Sequence, residues 1–239
     1  MIELKNPEFF KSAIGAISSF ISEGNFRFNE KGLFFKAIDA SQIVLVNYSI
    51  EKKLFDKYKV EPTFIGLDLT ELNKIVSRAL SNDKLKIDIN DSELLLELEG
   101  DLSRKFTLPL IDVSEDEIKL PEQKYETIVT INSRIFKEAL KDASLFGSSV
   151  VLKAKKDQFF IEARSSSGSL NISAREKGAK VKGSTEVVAK FSLNFLSNIV
   201  RESDSEKDIE LYLKNDAPMK ITYAIGKSDI EFYLAHMLL

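Results

Sequence analysis

An α+β fold built twice is what this chain predicts, and three observations carry the prediction. Phe34-Phe35-Lys36-Ala37-Ile38-Asp39 returns as Phe159-Phe160-Ile161-Glu162-Ala163-Arg164, about 125 residues later. Each copy follows a run of apolar residues at helical spacing, residues 7–21 and 132–146. A second helical run precedes an alternating one in both halves: Leu69, Leu72, Ile75, Val76 and Leu80 before residues 85–89, then Leu193, Leu196, Ile199 and Val200 before residues 209–213. Between the helices the period switches to two, as in half-buried antiparallel strands. The implied architecture is two helices covering one face of a curved antiparallel sheet, present in two similar domains.

In the first half, Asn6 is placed to cap a helix that Pro7 opens, and Phe9, Phe10, Ala13, Ile14, Ile17, Phe20 and Ile21 form its stripe. Strands are expected at 26–29, 33–38 and 43–50, with a turn at Glu30-Lys31-Gly32, while residues 51–60 carry no decided pattern. Thr70 is the expected cap of a second helix reaching Leu80, with Glu71 at the positive end of its dipole. Strands at 85–89, 93–98 and 104–110 close the domain. An acidic, aperiodic stretch with Pro121 follows as the connector, and its apolar Ile118 and Leu120 are expected to lie against a surface. The second half predicts a strand at 127–131, a helix at 132–146 and strands at 150–154, 158–164 and 169–174. A loop at 178–183, a strand at 186–191, a helix at 193–202 and strands at 208–213, 219–225 and 229–235 complete it. The expected division is 1–110, connector 111–126, and 127–239.

Composition narrows the function. The 239 residues suit two modest domains, each able to bury a core. With 34 basic and 37 acidic residues the net charge is -3, which argues against a protein that coats nucleic acid with its whole surface and leaves room for one basic face. Absence of cysteine excludes disulfides and thiolate metal sites and accords with a cytoplasmic setting, as does the lack of a signal peptide or of a membrane-length apolar run. His236 is the only histidine, so no histidine cluster can hold zinc. There is no glycine-rich phosphate loop, no G-x-S-x-G and no H-E-x-x-H. Asp88 with Asp91, and Asp112 with Glu115, Asp116 and Glu117, lack the calcium-loop pattern and read as surface charge. Neither catalysis, a cofactor nor a metal is expected.

Basic residues recur on the helices: Lys11 on the first, Lys74 and Arg78 on the second, Arg134, Lys137 and Lys141 on the third, and Arg201 with Asn194 and Asn198 on the fourth. Like charges four apart cost an isolated helix about 0.2–0.5 kcal/mol. Phosphates would compensate without reading sequence. Glu71 and Glu138 lie near the same stripes, so spacing alone equally supports an ordinary solvated face.

Several longer strings resemble the sliding clamps of the proliferating cell nuclear antigen family in archaea and eukaryotes. They are Gly32-Leu-Phe-Phe-Lys-Ala-Ile-Asp-Ala-Ser-Gln-Ile-Val-Leu-Val, Leu69-Thr-Glu-Leu-Asn-Lys-Ile-Val-Ser-Arg-Ala, the connector from Leu110-Ile-Asp-Val to Leu120-Pro-Glu-Gln, Asn215-Asp-Ala-Pro-Met and Phe232-Tyr-Leu-Ala. The resemblance covers essentially the whole chain and implies a non-enzymatic subunit of a trimeric ring. Such a ring encircles duplex DNA, is opened by a clamp loader, and tethers DNA polymerase, flap endonuclease and DNA ligase through short peptide motifs.

By this resemblance Lys11, Lys74, Arg78, Lys137, Lys141 and Arg201 face DNA. The peptide pocket falls to Ile38, Gln42, Ile43, Leu45, Ile118, Leu120, Pro218, Met219, Tyr233, Leu234 and Ala235, residues that without the family read equally as a small satellite core. A strand near 104–109 would meet one near 169–174 of an identical or homologous subunit, with Arg104 and Lys105 opposite Glu176. The resemblance also admits a checkpoint or regulatory ring subunit acting through protein binding. The chain departs from the family at its tail, where Ala235 is followed by His236-Met237-Leu238-Leu239 in place of proline and a basic residue.

Overall fold

The two halves repeat one order of elements. In the computed structural model, which describes residues 1–114, 118–174, 178–183 and 185–239, the first half runs β1 (Ile2–Leu4), α1 (Glu8–Ser18), β2 (Glu23–Asn29), β3 (Gly32–Ile38), β4 (Val44–Glu51), a 3-10 turn (Lys52–Leu54), β5 (Lys57–Tyr58), β6 (Thr63–Asp68), α2 (Leu69–Val76), β7 (Lys84–Ile89), β8 (Glu93–Glu99) and β9 (Ser103–Pro109). The second runs β10 (Thr127–Asn132), α3 (Ser133–Ser144), β11 (Ser149–Lys155), β12 (Gln158–Ser165), β13 (Gly168–Ala174), β14 (Ala179–Lys182), β15 (Val187–Ser192), α4 (Leu193–Val200), β16 (Asp208–Leu213), β17 (Met219–Ile225) and β18 (Ser228–Leu234). Apart from the 3-10 turn, each element has its counterpart.

The chain forms two compact units. Met1–Gln42, Val46–Lys119 and Ile225–Ile230 make the first; Ile43–Leu45, Leu120–Ala224 and Glu231–Leu239 make the second. Strands in the first follow the orders β5-β1-β7-β8-β9 and β4-β3-β2-β6, and in the second β14-β10-β16-β17-β18 and β13-β12-β11-β15. Among the described residues the strands within each unit pair antiparallel, such as Phe26 opposite Phe35 in β2 and β3 and Ile161 opposite Ile172 in β12 and β13.

Alternation is what makes these segments strands. Val150, Leu152 and Ala154 are buried on β11, and Ile209, Leu211 and Leu213 on β16, with more exposed residues between them. The helices supply the opposing apolar stripes. Phe10, Ala13, Ile14 and Ile17 of α1 are buried, as are Leu69, Leu72 and Val76 of α2, and α1 packs beside α2. Phe136, Leu140 and Ala143 of α3 and Leu196, Ile199 and Val200 of α4 repeat the arrangement. Each large buried apolar side chain contributes about 1.5–3 kcal/mol. Helices of 8 to 12 residues do not persist alone in water, so this packing is what maintains them.

Several details correct the sequence expectations. Asp68, not Thr70, caps α2, its Oδ1 accepting from Glu71 N at 2.9 Å, because Leu69 is already helical and buried. That helix stops at Val76 rather than Leu80. Asn6 accepts from Glu8 N at 3.0 Å, but Pro7 occupies the cap position itself. The expected loop at 178–183 contains β14, which pairs with β10, Ala179 opposite Ile131. β1, β5 and β6 were not expected. The acids Glu115, Asp116 and Glu117 and the expected partner Glu176 lie outside the described residues.

Arg104 is not turned outward. Its guanidinium pairs with the buried Asp83 and donates from Nη1 to Arg78 O at 2.9 Å, while Asp83 Oδ2 also accepts from Leu80 N at 2.7 Å. β9 is thereby tied to the turn that follows α2. Lys105 remains exposed and lies 3.8 Å from Glu97.

Two edge strands are closed by chain that folds back on them. After β9, Ile111 bridges Gly66 of β6, with Ile111 N donating to Gly66 O at 3.0 Å, and Asn25 Nδ2 donates to Val113 O and Ser114 O. After β18, Met237 bridges Lys190 of β15, Met237 N donating to Lys190 O at 2.8 Å. Asn215 completes the second closure by accepting from Val188 N at 2.8 Å and donating to Glu186 O at 3.1 Å. At Gly66 the approach is so close that a Cβ would stand 2.2 Å from Ile111 O. Gly66→Ala is therefore expected to lose about 1–3 kcal/mol of stability and to open the connector to protease. Thermal unfolding and limited proteolysis measure the two effects.

All six tyrosines ionise late. Burial is the largest cause for each, raising Tyr58 and Tyr125, holding Tyr48 and Tyr223 far above the ordinary phenol range, and pushing Tyr212 and Tyr233 up to about 12. Tyr48 OH shares a 2.9 Å hydrogen bond with Ser228 Oγ, and Tyr223 OH donates to Ile199 O at 2.7 Å. Folding thus favours the protonated phenol. The associated stability is intact below the unfolded value of 10.0 and is lost as pH climbs through about 12. An ultraviolet titration should show phenolate absorbance lagging behind free tyrosine and rising together with loss of the far-ultraviolet dichroism signal.

Candidate functional site

Packing decides which helix faces remain available. With Leu69, Leu72 and Val76 turned into the core, α2 leaves Lys74 exposed, and Arg78 lies exposed in the turn beyond the helix. The expected helical like-charge pair of Lys74 and Arg78 is therefore not formed within α2. Lys11 on α1 is half-buried, whereas Arg134 and Lys141 on α3 are exposed. Arg201 follows the last residue of α4, its Nε 3.1 Å from Glu202 and its Nη1 3.4 Å from Asn198 Oδ1.

Lys137 differs from the rest of its stripe. Its Nζ donates to Ser203 O at 2.6 Å, and burial pulls its pKa below the ordinary lysine value. Ser203 also meets Ser133 through a short hydroxyl contact at 2.5 Å. The Lys137 ammonium is engaged in holding the turn after α4 to α3. The sequence gives no local signal for this, because Ser203 is distant along the chain.

The other helical lysines are held by carboxylates. Lys11 Nζ lies 3.3 Å from Glu8, Lys74 Nζ 2.6 Å from Glu71, and Lys141 Nζ 2.8 Å from Glu138, each acid three residues before its lysine. Exposed pairs of this kind contribute about 0.2–0.5 kcal/mol. Such contacts orient the ammonium groups without immobilising them. Among the described residues no ion pair is recorded for Arg78 or Arg134. Exposed cations of this kind can contact a polyanion along its backbone.

The residues expected to form a peptide pocket divide between the units. In the second, Ala235 N donates to Ile43 O at 2.9 Å, setting residues 43–45 beside the end of β18. Leu45 and Tyr233 are nearly buried, Leu120, Pro218 and Ala235 half-buried, and Met219 and Leu234 fully buried. Met219 and Leu234 consequently back the surface and are not themselves open to a ligand. Gln123, missed by the sequence reading, donates from Nε2 to Pro218 O at 3.0 Å and to Tyr125 OH at 2.9 Å, anchoring the connector's far end. Tyr125 packs edge-on to Tyr212 at 5.8 Å, and Lys220 stands 4.3 Å over the Tyr212 ring while pairing with Glu231 at 3.4 Å. This aromatic and charged cluster lies in the same unit as Tyr233.

In the first unit, Ile38 and Ile118 line one cavity of about 560 Å³ with Arg27, Phe34, Lys36 and Phe64. Lys36 Nζ donates to Ile118 O at 3.2 Å, and Arg27 stacks over Phe64 at 4.9 Å. Gln42 is exposed, with a left-handed φ of 57° in the turn closed by its N–H to Asp39 O. Among the described residues no group of three or more histidine, cysteine or acidic side chains is placed to hold a metal ion, and no helix is long and apolar enough to cross a membrane.

Comparison with known proteins gives a consistent likeness. Residues 1–117 match the family model for the N-terminal domain of proliferating cell nuclear antigen, and residues 119–237 match that for its C-terminal domain. The DNA polymerase sliding clamp of Methanococcus vannielii is 32% identical over 241 residues, covering 96% of each chain. DNA polymerase sliding clamp 1 of Thermococcus kodakarensis is 30% identical over 232 residues, covering 95% of this chain and 93% of its own. The crystal structure of PCNA from Thermococcus kodakaraensis superposes with a TM-score of 0.94 at 25% identity, covering 99% of each chain. A chain of the PCNA2–PCNA3 complex from Sulfolobus tokodaii shares the fold, with a TM-score of 0.88 at 20% identity over 98% of each chain.

Proposed function

The chain belongs to the proliferating cell nuclear antigen family and is a DNA polymerase sliding clamp subunit, and from that premise we propose which of its residues meet DNA and which meet clients. Family membership makes it a non-catalytic processivity factor that assembles with other clamp subunits around duplex DNA. Lys11, Lys74, Arg78, Lys141 and Arg201 face the duplex, with Arg134 added and Lys137 contributing mainly by bracing α3. The observation supporting this reading is that basic side chains emerge on or just beyond every helix of a chain whose net charge is -3.

The chemistry suits a ring. Closure retains the DNA, so individual phosphate contacts need little strength, and equivalent contacts along the backbone allow translation without sequence preference. Replacing Lys74, Arg78 and Lys141 with alanine should shorten retention on duplexes of any sequence and flatten the salt dependence by roughly 0.9 per lost contact. Lifetimes of loaded rings across a salt series measure both, and unchanged lifetimes at low salt in an intact ring would exclude these contacts.

Residues 111–126 serve as the connector between domains 1–110 and 127–239, and the second unit supplies a peptide surface from Ile43, Leu45, Leu120, Pro218, Tyr233 and Ala235. Ile38, Gln42 and Ile118 extend the client-binding set. Short motifs with one aliphatic and two aromatic anchors, carried by DNA polymerase, flap endonuclease and DNA ligase, are the proposed ligands; a clamp loader opens the ring. Neighbouring subunits, identical or homologous, join the exposed edge β9 to β13, and a ring of three is the expected assembly. For the peptide surface, Leu120→Asp should weaken a flap-endonuclease tail peptide by about 1–3 kcal/mol. Calorimetry giving equal affinity for both proteins would rule out Leu120 as a contact.

A further inference from the structure

We infer that Glu8, Glu71 and Glu138 set how tightly the ring grips DNA, by competing with phosphate for the ammonium groups of Lys11, Lys74 and Lys141. The inference rests on the proposal that these helices face DNA. Its observation is a device repeated on three helices in both halves: a lysine held by the acid three residues before it, at 3.3, 2.6 and 2.8 Å. Each lysine can form a phosphate contact only by leaving, or sharing with, a carboxylate already in place. The freed carboxylate then stands near the incoming phosphate and repels it.

Helix-end electrostatics does not account for all three acids. Glu8 and Glu71 lie in first turns, where a negative charge meets the positive end of the helix dipole. Glu138 lies in the middle of α3, beyond the reach of that effect, yet makes the same pair. The lysine charge itself is not what varies. Glu71 raises the pKa of Lys74, through their hydrogen bond first and their charge interaction second, so the ammonium persists and only its partner changes. A lysine suits such an exchange because its head is a compact charge with three rotatable donors.

The Lys74 and Lys141 pairs are open to water, and that of Lys11 is partly so. Lys74 and Lys141 side chains are 64% and 72% exposed, and their acids 48% and 62%. Exchange between carboxylate and phosphate therefore requires no rearrangement of the core. Arg78 and Arg134 provide the contrast: among the described residues neither has a recorded ion pair, so a phosphate meets them without competition. Contested lysines beside uncontested arginines give a surface that attracts the duplex while limiting how long any contact persists.

The test compares the intact ring carrying Glu8→Gln, Glu71→Gln and Glu138→Gln with one that loses the same charge at exposed acids outside the helices, Glu61→Gln, Asp91→Asn and Asp229→Asn. Affinity for, and diffusion along, a duplex of arbitrary sequence are measured over a salt series. The helix variant should bind about three- to tenfold more tightly and diffuse correspondingly more slowly, with a much smaller change in the control. Equal changes in the two variants, or none in the helix variant, would overturn the inference. Single Glu138→Gln serves as the check on folding, since it leaves both helix N-termini intact and should still slow diffusion. A parallel ring with Lys74→Gln and Lys141→Gln separates the levels. If it loses retention while the glutamate variant is unchanged, competition fails and the DNA-facing assignment stands; if it too is unchanged, both fail.

Discussion

Each half of the chain must cover an apolar row of antiparallel strands, and two short helices are the means. That burial is the constraint from which the remainder follows. None of the four helices could hold its shape from internal hydrogen bonds alone. Their orientation is consequently dictated by residues such as Ile14, Leu72, Leu140 and Ile199, all nearly inaccessible. The polar face of each helix is then fixed by subtraction. Charge at that face follows from where the sheet required apolar side chains, which explains how a mildly acidic protein can place positive charge consistently.

Electrostatics on those faces is graded. Arginine and lysine side chains range from exposed and unengaged, through pairs with a nearby acid, to Lys137, whose ammonium is absorbed into the serine cluster around Ser203. Arg104 represents the far end of the range, locked to buried Asp83 so that β9 keeps its position against the turn after α2. Counting basic residues would treat all of these alike. Geometry separates them into exposed cations, a brace for α3 and a tie for β9.

Sequence made the repeated strand-helix order legible because the alternation in β11, β12, β16 and β17 and the stripes of α1 and α3 are long enough to establish a period. β1 and β5 escaped because three and two residues cannot show one. β14 escaped because glycines flank it and its identity as a strand comes from β10 beside it. The cap of α2 was misplaced by two positions since Asp68 and Thr70 are both competent, and only the burial of Leu69 decides between them. Candidate DNA-facing lysines were visible in sequence, while the engagement of Lys137 was not. The proposed peptide surface came from family resemblance alone: Leu120, Pro218 and Tyr233 are brought into one unit by folding, and no local pattern joins them.

The closure of β15 by Met237 and Asn215 gives the second unit a polarity. β13 stands at one margin of its sheet and β15 at the other, and among the described residues it is the β15 margin whose backbone groups are occupied by the chain's own tail and a side-chain amide. Strand addition is thus available from one direction and obstructed from the opposite one. Back-to-back pairing of two copies through β15 is suppressed, whereas a head-to-tail contact is allowed. A head-to-tail contact either closes on itself or runs on as a filament, so the obstructed β15 margin removes one of the routes by which further strands could be added.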